Sequence, residues 1–163
     1  MRLITVLCVL WSLVSVPVSL AARQDHHGSS DQRGAMVMGF DQALTTHRFL
    51  LFNDGGSIEV SVNDLADTKN RDAIRSHLPH IAMMFGEGNF DAPMLVHDSK
   101  NVPGTKAMTD HKGSIRFQYV ETAKGGRVDI VTSDPSALAA VHQFLKFQIA
   151  EHKTGDPTTV RTR

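Results

Sequence analysis

Residues 48–62 read RFLLFNDGGSIEVSV, and residues 116–132 read RFQYVETAKGGRVDIVT. Both stretches open with Arg-Phe, pass through a Gly-Gly pair and continue with apolar residues at every second position. Apolar residues that alternate with polar ones are typical of a strand with one solvated face. Glycines between two such halves favour a tight turn, because glycine tolerates positive φ. Each stretch therefore predicts a β-hairpin, the first with strands over about 47–52 and 58–62, the second over about 114–120 and 127–131.

A helix-like run follows each hairpin. In the first copy, Asp64 or Asp67 can cap a helix over about 68–85. In the second copy, Asp134-Pro135 places a capping side chain before a proline at the first helical position, and the pattern continues to about Lys153. Apolar residues recur three and four positions apart in both runs, so each predicts an amphipathic helix.

Two places depart from this pattern. Pro79 interrupts the first helical run and is expected to kink the helix or to begin a new turn there. Residues 93–97, in the irregular connector, predict a short edge strand. The chain order is then β-β-α, connector, β-β-α. We expect an α+β fold in which the two ββα repeats form a four-stranded antiparallel sheet with two helices on one face.

The N-terminal residues predict export. A positive charge at Arg2, an apolar stretch and a small-residue cleavage pattern make residues 1–21 a signal peptide that is too short for a stable membrane span. The expected product is periplasmic or extracellular and touches a membrane only through this transient signal. Cleavage would remove Cys8, the only cysteine, which excludes thiol chemistry and disulfides. We expect a flexible leader over 22–39, one domain over 40–154 and a disordered tail over 155–163.

The 163-residue chain carries 17 basic and 17 acidic residues, without a basic patch, so nucleic acid is not an expected partner. Its unusual feature is nine histidines and seven methionines beside 6% aromatic residues. Imidazole nitrogen suits copper, zinc and nickel, and thioether sulfur favours copper(I). The composition therefore indicates a binding protein for a soft metal ion, and we expect copper.

Spacing suggests which residues would hold the metal. His77, His80 and Met84 share one face of the first helix, because residues three, four and seven apart lie above one another. The connector adds Met94 and His97, and the last helix adds a histidine beside its apolar stripe. The predicted metal site in the groove between the helices comprises six residues: His77, His80, Met84, Met94, His97 and His142.

Two other interpretations remain open. The same groove could bind a small molecule or a protein partner without metal, with histidines as hydrogen-bond donors. The chain could also be an enzyme, although it offers no convergent acids and bases beyond its histidines. Taken alone, His47 is expected at the surface, and His152 is expected to be a boundary residue of the last helix. The oligomeric state is not predicted.

Four stretches carry a resemblance: TTHRFLL at 45–51, HLPHIA at 77–82, APMLVHD at 92–98 and VHQFLKFQIAEHKTGD at 141–156. Through them, residues 36–156 resemble a family of small exported bacterial proteins whose members often bear the label aspartate carbamoyltransferase. The resemblance implies export, and its label implies a transferase activity.

Overall fold

The computed structural model describes residues 33–163. The predicted export signal and residues 22–32 of the predicted leader lie outside the described residues. The strands are β1 (Thr45–Phe52), β2 (Gly55–Val62), β3 (Ile115–Thr122) and β4 (Gly125–Thr132). The helices are α1 (Thr68–Gly86), α2 (Asp91–Val96), α3 (Thr105–Asp110) and α4 (Pro135–His152), with short 3-10 turns at Gln42–Leu44 and Lys112–Ser114.

The four strands form one antiparallel sheet in the order β1-β2-β4-β3. The second strand of each hairpin lies at the centre, where Ile58 pairs with Val128. These two residues occupy equivalent positions in the two sequence repeats, so a pseudo-twofold axis passes between them. The predicted α+β class and the four-stranded antiparallel sheet are confirmed.

Each long helix packs chiefly on the hairpin of the other repeat. Helix α1 lies against β3 and β4, whereas α4 lies against β1 and β2. Glycines make room at the crossing points: a Cβ on Gly56 would overlap Leu145 of α4, and a Cβ on Gly126 would lie 3.1 Å from Cδ1 of Leu78 on α1. The Gly-Gly pairs therefore serve helix packing as well as the turns.

The core lies between the sheet and the helices. Phe85 of α1 and Phe144 of α4 pack with Phe90 from the connector, with ring centroids 4.6–6.0 Å apart. Val128 and Ile130 beneath them are fully buried. This apolar layer joins the two repeats into one core.

Helix α1 begins after Asp67, whose side chain accepts a hydrogen bond from the backbone of Asn70, and it runs uninterrupted through Pro79. The new turn expected at this proline is not present. The edge strand predicted over 93–97 is wrong, because most of this segment belongs to α2. An apolar run of five residues does not distinguish strand from helix, and Pro93 is tolerated because it lies within the first turn.

The two ends of the described chain are more ordered than expected. Residues 33–38, within the predicted leader, form a helical segment, and Arg33 Nε donates to the carbonyl of Val96 (3.1 Å). At the other end, Arg161 forms a parallel bridge with Phe52 of β1. The predicted disordered tail instead lies along the edge of the sheet.

In the part of the chain that the structure describes, no helix combines the length and the apolar character needed to cross a membrane.

Candidate functional site

Four histidines from four places in the fold line one cavity between the sheet and the helices. His47 comes from β1, His77 from α1, His97 directly follows α2, and His152 is the last residue of α4. The cavity has a volume of about 70 Å³. Its other walls are mostly apolar, with Gln148 and Met38 as the additional side chains of chemical interest. We call this space the histidine cavity.

Three of the four imidazole rings pack against one another. His47 and His152 are stacked with centroids 5.3 Å apart and an interplanar angle of 15°. His97 meets His152 edge-on at 5.0 Å and 80°. The ring centroid of Phe40 lies 5.9 Å from that of His47 and 5.9 Å from that of His77. The Phe40 ring therefore connects His77 to the other three histidines.

Two nitrogen atoms at the cavity are buried without a hydrogen-bond partner among the described residues, namely Nε2 of His47 and Nε2 of Gln148. By contrast, the other amide atom of Gln148, Oε1, lies 3.0 Å from Nε2 of His97. In this orientation of the amide, Oε1 accepts the hydrogen bond in the tautomer of His97 that carries its proton on Nε2. Buried polar groups are nearly always paired in folded proteins. Three further unpaired side-chain atoms among the described residues, Ser57 Oγ, Tyr119 Oη and Thr122 Oγ1, lie away from the cavity, so what distinguishes the two nitrogens is that both belong to residues of one cavity.

Burial keeps three of these imidazoles neutral. Desolvation, followed by the charge of His77, lowers the pKa of His47 to about 4. Desolvation, followed by His80, lowers the pKa of His77 to about 4. Desolvation, with smaller effects of His47 and His97, lowers the pKa of His152 to about 3. At neutral pH each ring therefore offers one donor and one acceptor nitrogen.

The structure brings together only part of the predicted metal site. His77 and His97 line the histidine cavity. His80 is exposed, whereas Met84 and Met94 are partly buried against the core outside the cavity wall.

The sixth predicted ligand has a different partner. Nε2 of His142 lies 2.8 Å from the carbonyl oxygen of Phe52 and 3.0 Å from that of Gly55, at the turn between β1 and β2. Its ring therefore holds α4 to the first hairpin. Within residues 33–163, no group of three or more His, Cys, Asp or Glu side chains is arranged to hold a metal ion.

Sequence reasoning missed two of the four cavity histidines. His47 alternates with the buried Phe49 and Leu51, so the period of two already placed it on the core face of β1. His152 follows Gln148 by four and Ile149 by three, which places it on the buried face of α4. The strand period at His47 and the helical period at His152 were both visible in the sequence, but neither could show that the two imidazole rings would stack.

Comparisons of the chain with protein-family models, curated proteins and solved structures find no match in any of the three. The residues of the histidine cavity therefore provide the basis for a functional assignment.

Proposed function

We propose that this protein is an exported, non-catalytic binding protein whose ligand is a small, uncharged organic molecule held in the histidine cavity. One observation carries the proposal: the Nε2 atoms of His47 and Gln148, two residues that line the histidine cavity, are buried without a partner among the described residues. A buried donor without a partner costs about 1–3 kcal/mol. Both nitrogens are shielded from solvent, so a ligand with a hydroxyl, carbonyl or amide group would supply the missing partners once these side chains turn toward the cavity. Export is inferred from the sequence of residues 1–21.

The charge of the cavity favours a neutral ligand. Among the described residues that line it, none is Asp, Glu, Lys or Arg. The lowered pKa values of His47, His77 and His152 keep these side chains uncharged near pH 7. A charged ligand would lose its hydration without gaining a countercharge, which is unfavourable in an apolar site.

The size of the cavity limits the ligand. A cavity of about 150 Å³ in another protein accommodates benzene, whereas the histidine cavity has about 70 Å³. The part of the ligand that enters it is therefore smaller than a six-membered ring, such as a short alcohol or a simple amide.

A soft metal ion, copper(I), is the second candidate. Neutral imidazoles and the thioether of Met38 in one wall are the ligands that copper(I) prefers. The edge-on arrangement of His97 and His152 at 5.0 Å suits two rings that face a common ion. The stacked pair of His47 and His152 does not, because a metal lies near the plane of each ring that binds it and these planes are almost parallel.

The transferase activity implied by the family resemblance receives no support from the cavity. Carbamoyl transfer to aspartate requires a site for anionic groups, which Arg and Lys side chains normally provide. Among the described residues, neither type lines the histidine cavity.

The experiment is a titration of the purified protein with three neutral probes, namely 2-propanol, acetamide and pyrazole, followed by NMR of the side-chain amide and imidazole nitrogens. We expect at least one probe to saturate the Gln148 and His47 signals with a dissociation constant below about 10 mM, which corresponds to about 3 kcal/mol. Gln148→Leu removes the buried donor and should weaken binding about tenfold. Gln143→Leu, at an exposed position of the same helix, is the matched control and should bind as the unaltered protein does.

Two outcomes would contradict the proposal. Either no probe would saturate these signals, or Gln148→Leu would bind the probes unchanged. The same protein is titrated with copper(I) and zinc(II) by calorimetry. Binding tighter than about 10 μM, or roughly 7 kcal/mol, that His152→Gln abolishes would favour the second candidate instead.

A further inference from the structure

The C-terminal strap, residues 153–163, reverses the chain directly after His152. Lys153 ends α4 in the left-handed conformation (φ 48°), and Gly155 also has a positive φ of 72°. These two residues turn the chain back toward β1, so that Asp156 reaches the edge of the sheet. The side chain of Asp156 is only 7% exposed there.

Asp156 contacts β1 at a residue of the histidine cavity. Its Oδ2 accepts a hydrogen bond from the backbone N–H of Phe49 (2.8 Å). The ring of Phe49 in turn lies 5.5 Å from that of His152 and 6.3 Å from that of His47. The carboxylate thus fixes the segment of β1 on which the stacked histidines rest.

The hydrogen bond, and not the ion pair, is the main attachment at this point. Arg48 Nε lies 3.6 Å from Oδ1 of Asp156, but the Arg48 side chain is 53% exposed. Exposed ion pairs contribute little, because solvent screens them. A hydrogen bond from a backbone N–H to a nearly buried carboxylate is charge-assisted and stronger.

The far end of the strap is held independently. The backbone N–H of Arg161 donates to the carbonyl of Leu51 (3.0 Å), and the carbonyl of Arg161 accepts from the N–H of Asn53 (2.9 Å). The guanidinium of Arg163 contacts the carboxylates of Asp54 and Asp129. Loss of the Asp156 contact would therefore remove one attachment of the segment that follows α4, while the strap stays attached beyond it.

We propose that Asp156 is a latch: it holds the C-terminal end of α4 against β1 and thereby sets the access of ligands to the histidine cavity. It is a positioning residue, since it acts through Phe49 and the end of the helix. The inference rests on the proposed function only in its last step, the entry of a ligand. Its first step, opening of the gap between His47 and His152, can be measured without any ligand.

The test uses diethyl pyrocarbonate, which acylates neutral imidazole nitrogens that solvent can reach, with each site quantified by mass spectrometry. In the full chain, Asp156→Ala should accelerate labelling of His47 and His152 at least tenfold. The exposed His80 serves as an internal reference and should not change. Asp156→Asn keeps an acceptor oxygen but loses the charge, so it should accelerate labelling less than Asp156→Ala does. Arg163→Ala loosens only the far end of the strap and should change the labelling less than threefold.

Equal labelling of His47 and His152 in Asp156→Ala and in the unaltered protein would overturn the proposal. If Asp156→Ala does not fold, hydrogen exchange in the unaltered protein decides the question. The Phe49 amide and the His152 ring should then become accessible in the same partial opening, below the free energy of global unfolding. The latch would be refuted if the Phe49 amide exchanged only through global unfolding while His152 was labelled faster than global unfolding allows.

The ligand step is measured last, with the probe that binds most tightly among 2-propanol, acetamide and pyrazole. Asp156→Ala should change its affinity at least threefold. If labelling rises as expected but no probe binds, the latch stands and the proposed function fails. If a probe binds but labelling does not rise, the proposed function stands and the latch fails.

Discussion

The three buried neutral imidazoles make the stability of this protein sensitive to mild acid. In the unfolded chain each would titrate near pH 6.5, whereas in the folded protein His47 and His77 have pKa values of about 4 and His152 of about 3. Between these values the unfolded chain binds protons that the folded protein does not. Stability therefore falls as the pH drops below about 6.5, and the fall ends only below the folded pKa values.

The size of this effect follows from the two pKa values of each group. A histidine that titrates at 6.5 when unfolded and at about 4 when folded loses about 1.4 kcal/mol of stabilisation between pH 7.5 and 5.5. Three such groups lose about 4 kcal/mol together, and unfolding at pH 5.5 takes up between two and three protons. That is a large share of the roughly 5–15 kcal/mol typical of a folded domain.

The two carboxylates with a lowered pKa do not produce this change. Hydrogen bonds from Asn70 and Ala137 lower the pKa of Asp67 and Asp134, respectively, below the usual value of 3.8. Their contribution is present above that value and is lost only as the pH falls further. A loss of stability between pH 7.5 and 5.5 therefore reports the imidazoles.

The assay is guanidinium unfolding followed by circular dichroism at pH 7.5, 6.5 and 5.5. His152→Gln cannot titrate, so its loss over this range should be smaller than that of the unaltered protein by about 1.4 kcal/mol. A total loss below about 1 kcal/mol in the unaltered protein would refute the burial of neutral histidines in the cavity.

Three further predictions concern stability and are measured by chemical or thermal unfolding. Gly56→Ala should destabilise the folded protein by about 1–3 kcal/mol because its methyl group would overlap α4. Gly86→Ala meets open space at the end of α1 and should stabilise the protein by up to about 1 kcal/mol. Equal effects of the two substitutions would contradict the packing of α4 on Gly56. His142→Ala should cost about 1–3 kcal/mol by leaving carbonyls at the first turn without their donor, whereas its exposed neighbour Gln143→Ala should stay within about 0.5 kcal/mol. Phe144→Ala, at 1% exposure, should cost about 3–5 kcal/mol, and a cost below about 1 kcal/mol would place Phe144 outside the core.

The hairpins and the long helices were predictable because their signals are local. Residues 55–62 and 125–132 carry the period of two, and residues 68–86 and 135–152 carry the helical period, each beside a turn or a cap. The pairing of β2 with β4 was not predictable from these local signals, because two hairpins can share one sheet through either strand of each. The short helix α2 was not predictable in this way, since a few apolar residues carry too little periodicity to separate helix from strand.

The histidine cavity was only half predictable because it combines distant parts of the chain. The helical period alone groups His77 with His80, but only the crossing of the helices decides which of the two faces the cavity. His142 and His152 lie on the same helix, yet one reaches the first turn and the other the cavity. Such differences depend on helix rotation and register, which tertiary packing sets.

The crossing of the two helices also restricts how this architecture can exist in smaller pieces. Since α1 covers mainly β3 and β4 while α4 covers mainly β1 and β2, each ββα unit leaves most of the buried face of its own strands to the helix of the other unit. A shorter chain with a single unit could bury that surface by lending its helix to a second chain and borrowing one in return, as in a domain-swapped homodimer. The connector from α1 to β3 turns this exchange into an intramolecular event, so that assembly of the sheet no longer depends on protein concentration.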